Sequence, residues 1–203
     1  MTYTRASESW FFDVICNKDL LRLIVSFQHG HKYYEITSGD LASRCGWLSL
    51  IKERYLFLFF TKYAMDFAAS NGYLEIVQFL HENRTEGCND DAMDNAASNG
   101  HLDVVKWLHQ NRTEGCTTYA MNHAASNGHL DVVKLLHQNR TEGCTKDAMN
   151  SASKNGHLEV IKWLHQNRTE GCTKNAMDWA AQSGHLEVVQ WLHQNRKIGR
   201  AHV

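Results

Sequence analysis

Downstream of residue 63 the chain repeats one arrangement of apolar and polar positions every 28 residues. Five blocks stand in register, 64–91, 92–119, 120–147, 148–175 and 176–203; the second and third share 23 of 28 positions, so one physical account must serve them all. In the second block Met93, Ala96 and Ala97 fall on one face of a helix running from about Met93 to Asn99, and Asn99-Gly100 supplies a left-handed stop. A second helix, from about Leu102 to Asn111, turns Leu102, Val105 and Leu108 inward and Val104 and Trp107 partly so. Asp103 lies in its first turn, where a helix N-terminus favours an anion. Arg112 to Tyr119 reads as a polar connector. Because 28 is four heptads, a coiled coil is the competing reading, but Gly100 and Gly115 would each cost a continuous helix about 1 kcal/mol. A helix pair this small cannot bury its apolar face alone, so neighbouring pairs must stack into a continuous core, as in a solenoid.

The stretch A-A-x-x-G-H-L-x-V-V-K at Ala96–Lys106 resembles the central signature of ankyrin repeats, and it recurs five times over residues 64–196. The resemblance implies an all-α, ankyrin-like helix-pair solenoid that binds a protein partner and catalyses nothing. Two departures stand out. The usual unit has about 33 residues and opens its first helix with Thr-Pro-Leu-His; here Asp91, Ala92, Met93 and Asp94 occupy those positions. The connector is correspondingly shorter, so a tight loop is expected in place of the long β-hairpin. Short units of this kind are similar to the ankyrin expansions of unicellular eukaryotes and large DNA viruses.

Upstream, Leu41 to Lys52 lines up on Phe67 to Gln78, which makes residues 35–63 a degenerate ankyrin-like unit. Residues 1–34 read as an N-terminal helical cap, with Trp10, Phe11, Val14, Ile15, Leu20, Leu21, Ile24, Val25 and Phe27 available for burial on an outermost face that needs covering. Within them, Asp19 to Val25, followed later by Trp47, is similar to an F-box, the helical module that docks ubiquitin-ligase scaffolds, although the leading Leu-Pro of that motif is absent. Regular units fill residues 64–196. Residues 197–203, Lys-Ile-Gly-Arg-Ala-His-Val, leave the pattern abruptly and look like a translated sequencing adapter, an artefactual tail to a truncated reading frame.

Composition narrows the function. Lys plus Arg number 21 against 22 Asp plus Glu, so no basic excess recruits nucleic acid or anionic lipid. No signal peptide and no run long enough to span a bilayer is visible, which points to an intracellular, cytoplasmic protein and a monomer with a protein partner. Each unit carries histidine and cysteine, such as His101, His109 and Cys116, but no close ligand pair of the Cys-x2-Cys kind, so neither metal nor cofactor is expected. His101 and His129 should bond locally to their turn, and the histidine of Trp-Leu-His should sit at the second helix's C-terminus. Cys88, Cys116, Cys144 and Cys172, one per unit, would stand about 10 Å apart, too far for disulfides, and are expected as reduced thiols. Four N-x-T matches, beginning at Asn83, Asn111, Asn139 and Asn167, read as helix C-termini. Arg112 and Glu114 form an edge charge pair that contributes about 0 to 1 kcal/mol. No phosphate loop, nucleophile elbow or unique acidic pair offers a catalytic residue.

Differences between the copies locate the candidate contact surface. Ala96, Gly100, Leu102 and Leu108 have the same residue in all five units, whereas the position after Met-(Asp/Asn) is Phe67, Asn95, His123, Ser151 and Trp179. That position is expected on the concave face, together with the varying connector residues that include Tyr119. In ankyrin repeats the matching positions contact partners, and exposed aromatics such as Trp179 and Tyr119 make strong anchors.

Overall fold

Residues 37–195, described in a computed structural model of the chain, form twelve α-helices and no strand. The proposed cap, the F-box-like stretch and the tail fall outside the described residues. Two compact units divide the chain, one holding residues 37–68 and 73–88, the other 69–72 and 89–195.

The first unit contains α1 (Gly39–Arg44), α2 (Leu48–Arg54), most of α3 (Tyr63–Ser70) and α4 (Leu74–Asn83). Its core is Ala42, Trp47, Ile51, Leu58, Phe60, Ala64, Met65, Ile76, Val77 and Leu80. Ser38 caps α1 by accepting the Leu41 N–H at 3.2 Å. Asp40, in its first turn, accepts the backbone N–H of Thr61 at 2.8 Å and its hydroxyl at 2.6 Å. Thr61 in turn accepts the Tyr63 N–H at the start of α3.

The second unit carries the regular helix pairs: α5 (Asp90–Ser98) with α6 (Leu102–Asn111), α7 (Thr118–Ser126) with α8 (Leu130–Asn139), α9 (Lys146–Lys154) with α10 (Leu158–Asn167), and α11 (Lys174–Gln182) with α12 (Leu186–Asn195). Pairs stack in chain order, chiefly through their first helices, where α7 lies between α5 and α9 and α11 follows α9. Fully buried alanines, Ala96 and Ala97 in α5 and Ala124 and Ala125 in α7, hold these helices close. The connectors are short loops, as expected.

The first helices begin earlier than the apolar spacing suggests, at Asp90 rather than near Met93 in the second block. The reason lies in the connector's last residue. Asn89, Thr117, Thr145 and Thr173 are N-caps whose side chains accept the N–H two residues on, at 2.9 to 3.2 Å. At the other end, Gly100 (φ +78°) closes α5 with two bonds, His101 N–H to Ala96 C=O at 2.9 Å and Gly100 N–H to Ala97 C=O at 3.1 Å, the Schellman pattern. In α6 the buried stripe is Val104, Val105 and Leu108, while Leu102 is half-buried. Helical side chains lean toward the N-terminus, so Leu102, first in its helix, leans off the end instead of inward.

Three contacts recur at the joints between pairs, the asparagine of the second being replaced by Ser183 in the last pair. First, Asp94 accepts the Thr117 backbone N–H at 2.8 Å and its hydroxyl at 2.6 Å, so one helix's interior fixes the next helix's cap. Asn122 serves Thr145 the same way, its Oδ1 accepting the N–H at 2.9 Å and its amide donating to the hydroxyl, and Asn150 serves Thr173. Second, the carbonyl of Ser70 accepts from Asn99 Nδ2 at 2.7 Å and from His101 Nε2 at 3.1 Å; Asn127 and Asn155 reach Ser98 and Ser126 alike. The histidine therefore does not bond within its own turn, as the sequence suggested. It spans 31 residues to the preceding unit. Third, that histidine ring sits where a glycine leaves room: a Cβ on Gly128 would stand 2.7 Å from His157 Nδ1.

The connectors are clasped by Arg112–Glu114, Arg140–Glu142 and Arg168–Glu170, each a two-point guanidinium–carboxylate pair. These pairs are only about a quarter exposed, and Arg168 holds the Glu170 carboxyl below its usual range. Arg140 also bonds Cys116, and Arg168 bonds Cys144, one unit back. Cys88, Cys116, Cys144 and Cys172 are free thiols, and burial pushes Cys116 up to about 11, which keeps it a poor nucleophile. Cys45, in the first unit, is disulfide-bonded, so among the described residues the reduced state belongs to the repeat cysteines.

Substitutions at the joints separate these contributions. Asp94→Ala leaves the part-buried Thr117 N–H without its acceptor and is expected to cost about 1 to 2 kcal/mol in urea unfolding, whereas Asp94→Asn should stay within about 1 kcal/mol because Asn122 already fills that role; equal costs would contradict the assignment. Gly128→Ala should destabilise more than Gly184→Ala, since both strain a left-handed backbone but only the first drives a methyl into a histidine ring. Stability should also fall in acid. Burial, with the charges of His129 and His185, lowers the pKa of His157, so below about pH 6.5 the unfolded chain takes up a proton that the folded one resists. Glu86 and Glu170, lowered by Arg84 and Arg168, contribute stability that is present above about pH 4.5 and lost as pH drops through their folded values. Asp94, raised by burial against its Thr117 bonds, runs the other way and offsets part of the loss. The thermal midpoint followed by circular dichroism from pH 7.5 to 5.0 should decline, and less steeply in His157→Gln.

Candidate partner-binding surface

Each first helix turns 100° per residue, so its burial pattern can be read around its circumference. In α5, Ala92, Met93, Asp94, Ala96 and Ala97 are buried, which closes most of the circle. Past the first residue, the open sector is the narrow stripe of Asp91, Asn95 and Ser98. The same stripe is Tyr119, His123 and Ser126 in α7, Asp147, Ser151 and Lys154 in α9, and Asn175, Trp179 and Gln182 in α11. Whatever approaches this side of the first helices meets these positions.

Of the sequence-derived candidates, Asn95, His123, Ser151 and Trp179 in the second unit are half-buried and Tyr119 is 44% exposed. Phe67, in the first unit, is likewise half-buried. Tyr119 and His123 meet directly, their rings stacked with centroids 3.6 Å apart. This pair presents one flat aromatic edge on α7, one helical turn in length. Asn95, Ser151 and Trp179 stand on other helices of the row, whose successive members are about 8 to 10 Å apart, and do not converge on a point. The arrangement suits an extended contact over several helices rather than a small-molecule pocket.

One neighbour escaped the sequence reading. Tyr63, 49% exposed at the start of α3, stacks on Phe67 at 6.2 Å, and the Arg44 guanidinium lies 5.5 Å from the Phe67 ring. The i, i+4 aromatic spacing of Tyr63 and Phe67, the same as that of Tyr119 and His123, is the signal that would have found it.

Other polar groups are committed to the fold. Asn111, Asn139 and Asn167 donate to the carbonyl four residues back at about 2.8 to 2.9 Å and finish their helices. His137 and His165 lie in the last turns of their helices, as expected, and take the Trp163 and Trp191 rings of the next pair edge-on at 5.1 and 5.2 Å. Among the described residues no three His, Cys, Asp or Glu side chains converge as metal ligands. A small, partly open cleft in the first unit, lined by Phe60, Ala64, Met65, Leu80 and Arg84, has a volume of about 10 Å³, far below the usual range for a small-molecule site. No described helix is long and apolar enough to cross a membrane.

Comparison with known proteins gives no match among curated sequences. Two family models do match, one of ankyrin repeats in three copies over residues 121–201, and one of ankyrin repeats in many copies over residues 65–109 and 93–137. Together they cover residues 65–201, the stretch over which the 28-residue period runs. The chain belongs to the ankyrin-repeat family.

Proposed function

We propose that the chain is a non-enzymatic protein-binding scaffold whose partner lies along the open stripe of the first helices, the concave face in ankyrin terms. The stripe supports this reading because in α5, α7 and α9 it stays open past the first residue while most of the circumference is buried, and because its central position is a different residue in every copy. Phe67, Asn95, Tyr119, His123, Ser151 and Trp179 are its proposed contact residues. Tyr119 and Trp179 act as anchors, since aromatic side chains contribute large contact area at low entropic cost. A net charge of −1 favours a protein partner over nucleic acid or an anionic membrane.

A ubiquitin-ligase adaptor is the finer alternative, resting on the resemblance of Asp19 to Val25 to an F-box. Trp47, the other part of that resemblance, is 5% exposed and belongs to the first unit's core, so it supports folding and not scaffold docking.

Affinity capture separates these readings. Tyr119→Ala and Trp179→Ala together should lower partner recovery at least tenfold while the thermal midpoint falls by only a few degrees, as suits residues outside the core. Undiminished recovery would remove these residues from the contact surface. Ligase scaffold subunits lost on Leu20→Ala and Leu21→Ala, with the repeats still folded, would favour the adaptor.

A further inference from the structure

The first unit carries a covalent bond and an apolar surface that its described residues do not complete. Cys45, the residue that ends α1, is disulfide-bonded. The chain has six cysteines, and Cys88, Cys116, Cys144 and Cys172 are free thiols, which leaves Cys16 as the partner. Two residues after Cys45, Trp47 is almost fully buried, and its Nε1–H has no acceptor among the described residues. Trp47 stands in the register of Tyr73 and His101, whose rings sit over Gly46 and Gly72, and His101 also reaches the Ser70 carbonyl of the preceding helix pair. A ring in that register leans toward whatever precedes its own helix pair, which for Trp47 is residues 1–36. At the other end of α1, Leu56, Phe57 and Phe59 are 73, 75 and 72% exposed. The Phe59 N–H donates to the Thr37 carbonyl at 2.8 Å and the Gly39 N–H donates to the Phe59 carbonyl at 2.7 Å, a parallel bridge centred on Ser38. Because the two segments run the same way, the chain ahead of Thr37 arrives along the side of Phe57 and Leu56.

We propose that Cys16 and Cys45 form a redox-controlled staple that holds the chain's own residues 10–36 over Trp47 and over the patch of Leu56, Phe57 and Phe59. The occupant follows from where the described chain begins and from the bond at Cys45; a separate partner protein would cover the patch without accounting for that bond. Reach is ample. With six residues α1 is about 9 Å long, whereas residues 17–36, between Cys16 and Thr37, span up to about 65 Å when extended. Val14, Ile15, Leu20 and Leu21, close to Cys16 in sequence, supply apolar contact, and grouped exposed side chains such as Phe57 and Phe59 mark a surface that binds something. Closing the staple joins the two sulfurs and passes two electrons and two protons to a disulfide such as oxidised glutathione, whose own S–S bond becomes two thiols. A dithiol reverses the exchange and is itself oxidised to a disulfide. Reduction then frees residues 10–36, Asp19 to Val25 among them, and opens the patch. This switch belongs to the first unit and is independent of the stripe of partner-contacting residues proposed above.

The test uses the full chain, equilibrated with oxidised glutathione, blocked with iodoacetamide and digested with trypsin without reduction. Mass spectrometry should find residues 6–18 joined to residues 45–52. On reduction of the intact protein with dithiothreitol, the fluorescence of anilinonaphthalene sulfonate should rise at least threefold while the helical circular dichroism holds. The amides of Phe57 and Phe59, bonded to the carbonyls of Arg54 and Thr37, should exchange at least tenfold faster. Cys16→Ser should show these released values in either buffer. Phe57→Ser combined with Phe59→Ser should keep the joined peptides but lose most of the dye response, which distinguishes opening of the patch from general loosening. Absence of the joined peptides overturns the staple. Joined peptides whose reduction leaves dye binding and exchange unchanged overturn the covering of the patch, and so does an undiminished dye response in the double variant.

Discussion

A missing Cβ holds this structure together. Gly100 ends the first helix of its pair in a left-handed turn, and the absence of a side chain there opens the seat that the histidine of the following pair occupies. The two roles are inseparable, because the backbone turn that spares a side chain also directs the chain into the second helix. Once the ring is seated, its Nε2 and the neighbouring asparagine amide converge on one carbonyl of the pair before, as at Ser70. Helix termination, the angle between the helices of a pair and the registration of successive pairs thus share one site. The alanines beside it, Ala96 and Ala97, permit the close approach that this registration requires.

The second constraint runs from the interior of one first helix to the cap of the next. Asp94, Asn122 and Asn150 each hold the threonine that starts the following helix, so α7, α9 and α11 each begin against their predecessor. This arrangement also accounts for the lack of proline at one position of each repeat. The ankyrin position usually occupied by proline falls here on Ala92 and its copies. With helices starting at Asp90, Thr118 and Lys146, those alanines lie inside the first turn, and the N–H of Ala92, Ala120 and Ala148 is bonded to the carbonyl of its N-cap at 3.2 to 3.3 Å. Proline has no N–H to offer and would break that bond.

The 28-residue period, the two helices per unit, the glycine stop and the buried Met-x-x-Ala-Ala face were legible in the sequence because each is written in local spacing. What was not legible depends on residues far apart in the chain. Thr117 looked like part of a connector because its partner, Asp94, stands 23 residues upstream. His101 looked like a turn residue because its acceptor, Ser70, lies 31 residues away. The inward tilt of Val104 over Leu102 follows from the direction helical side chains lean, which apolar counting ignores. For the candidate surface, variation among copies pointed to Asn95, His123, Ser151 and Trp179, and these positions are half-buried rather than closed off, which leaves room for the residue to change; Tyr63 was missed because it precedes the first regular block.

Near-identity between units bears on how such a chain can change over generations. Each pair offers the same acceptor groups on one side and the same donor groups on the other, so any block can follow any other. An in-frame loss of residues 120–147 would bring the histidine of one unit onto the glycine of a unit formerly two places away, with the threonine cap and its Asp94 acceptor still in reach. Recombination between nearly identical stretches can then lengthen or shorten the array without a folding penalty at the new junction, and the row of stripe residues becomes a set of interchangeable characters whose order, as well as identity, inheritance can edit.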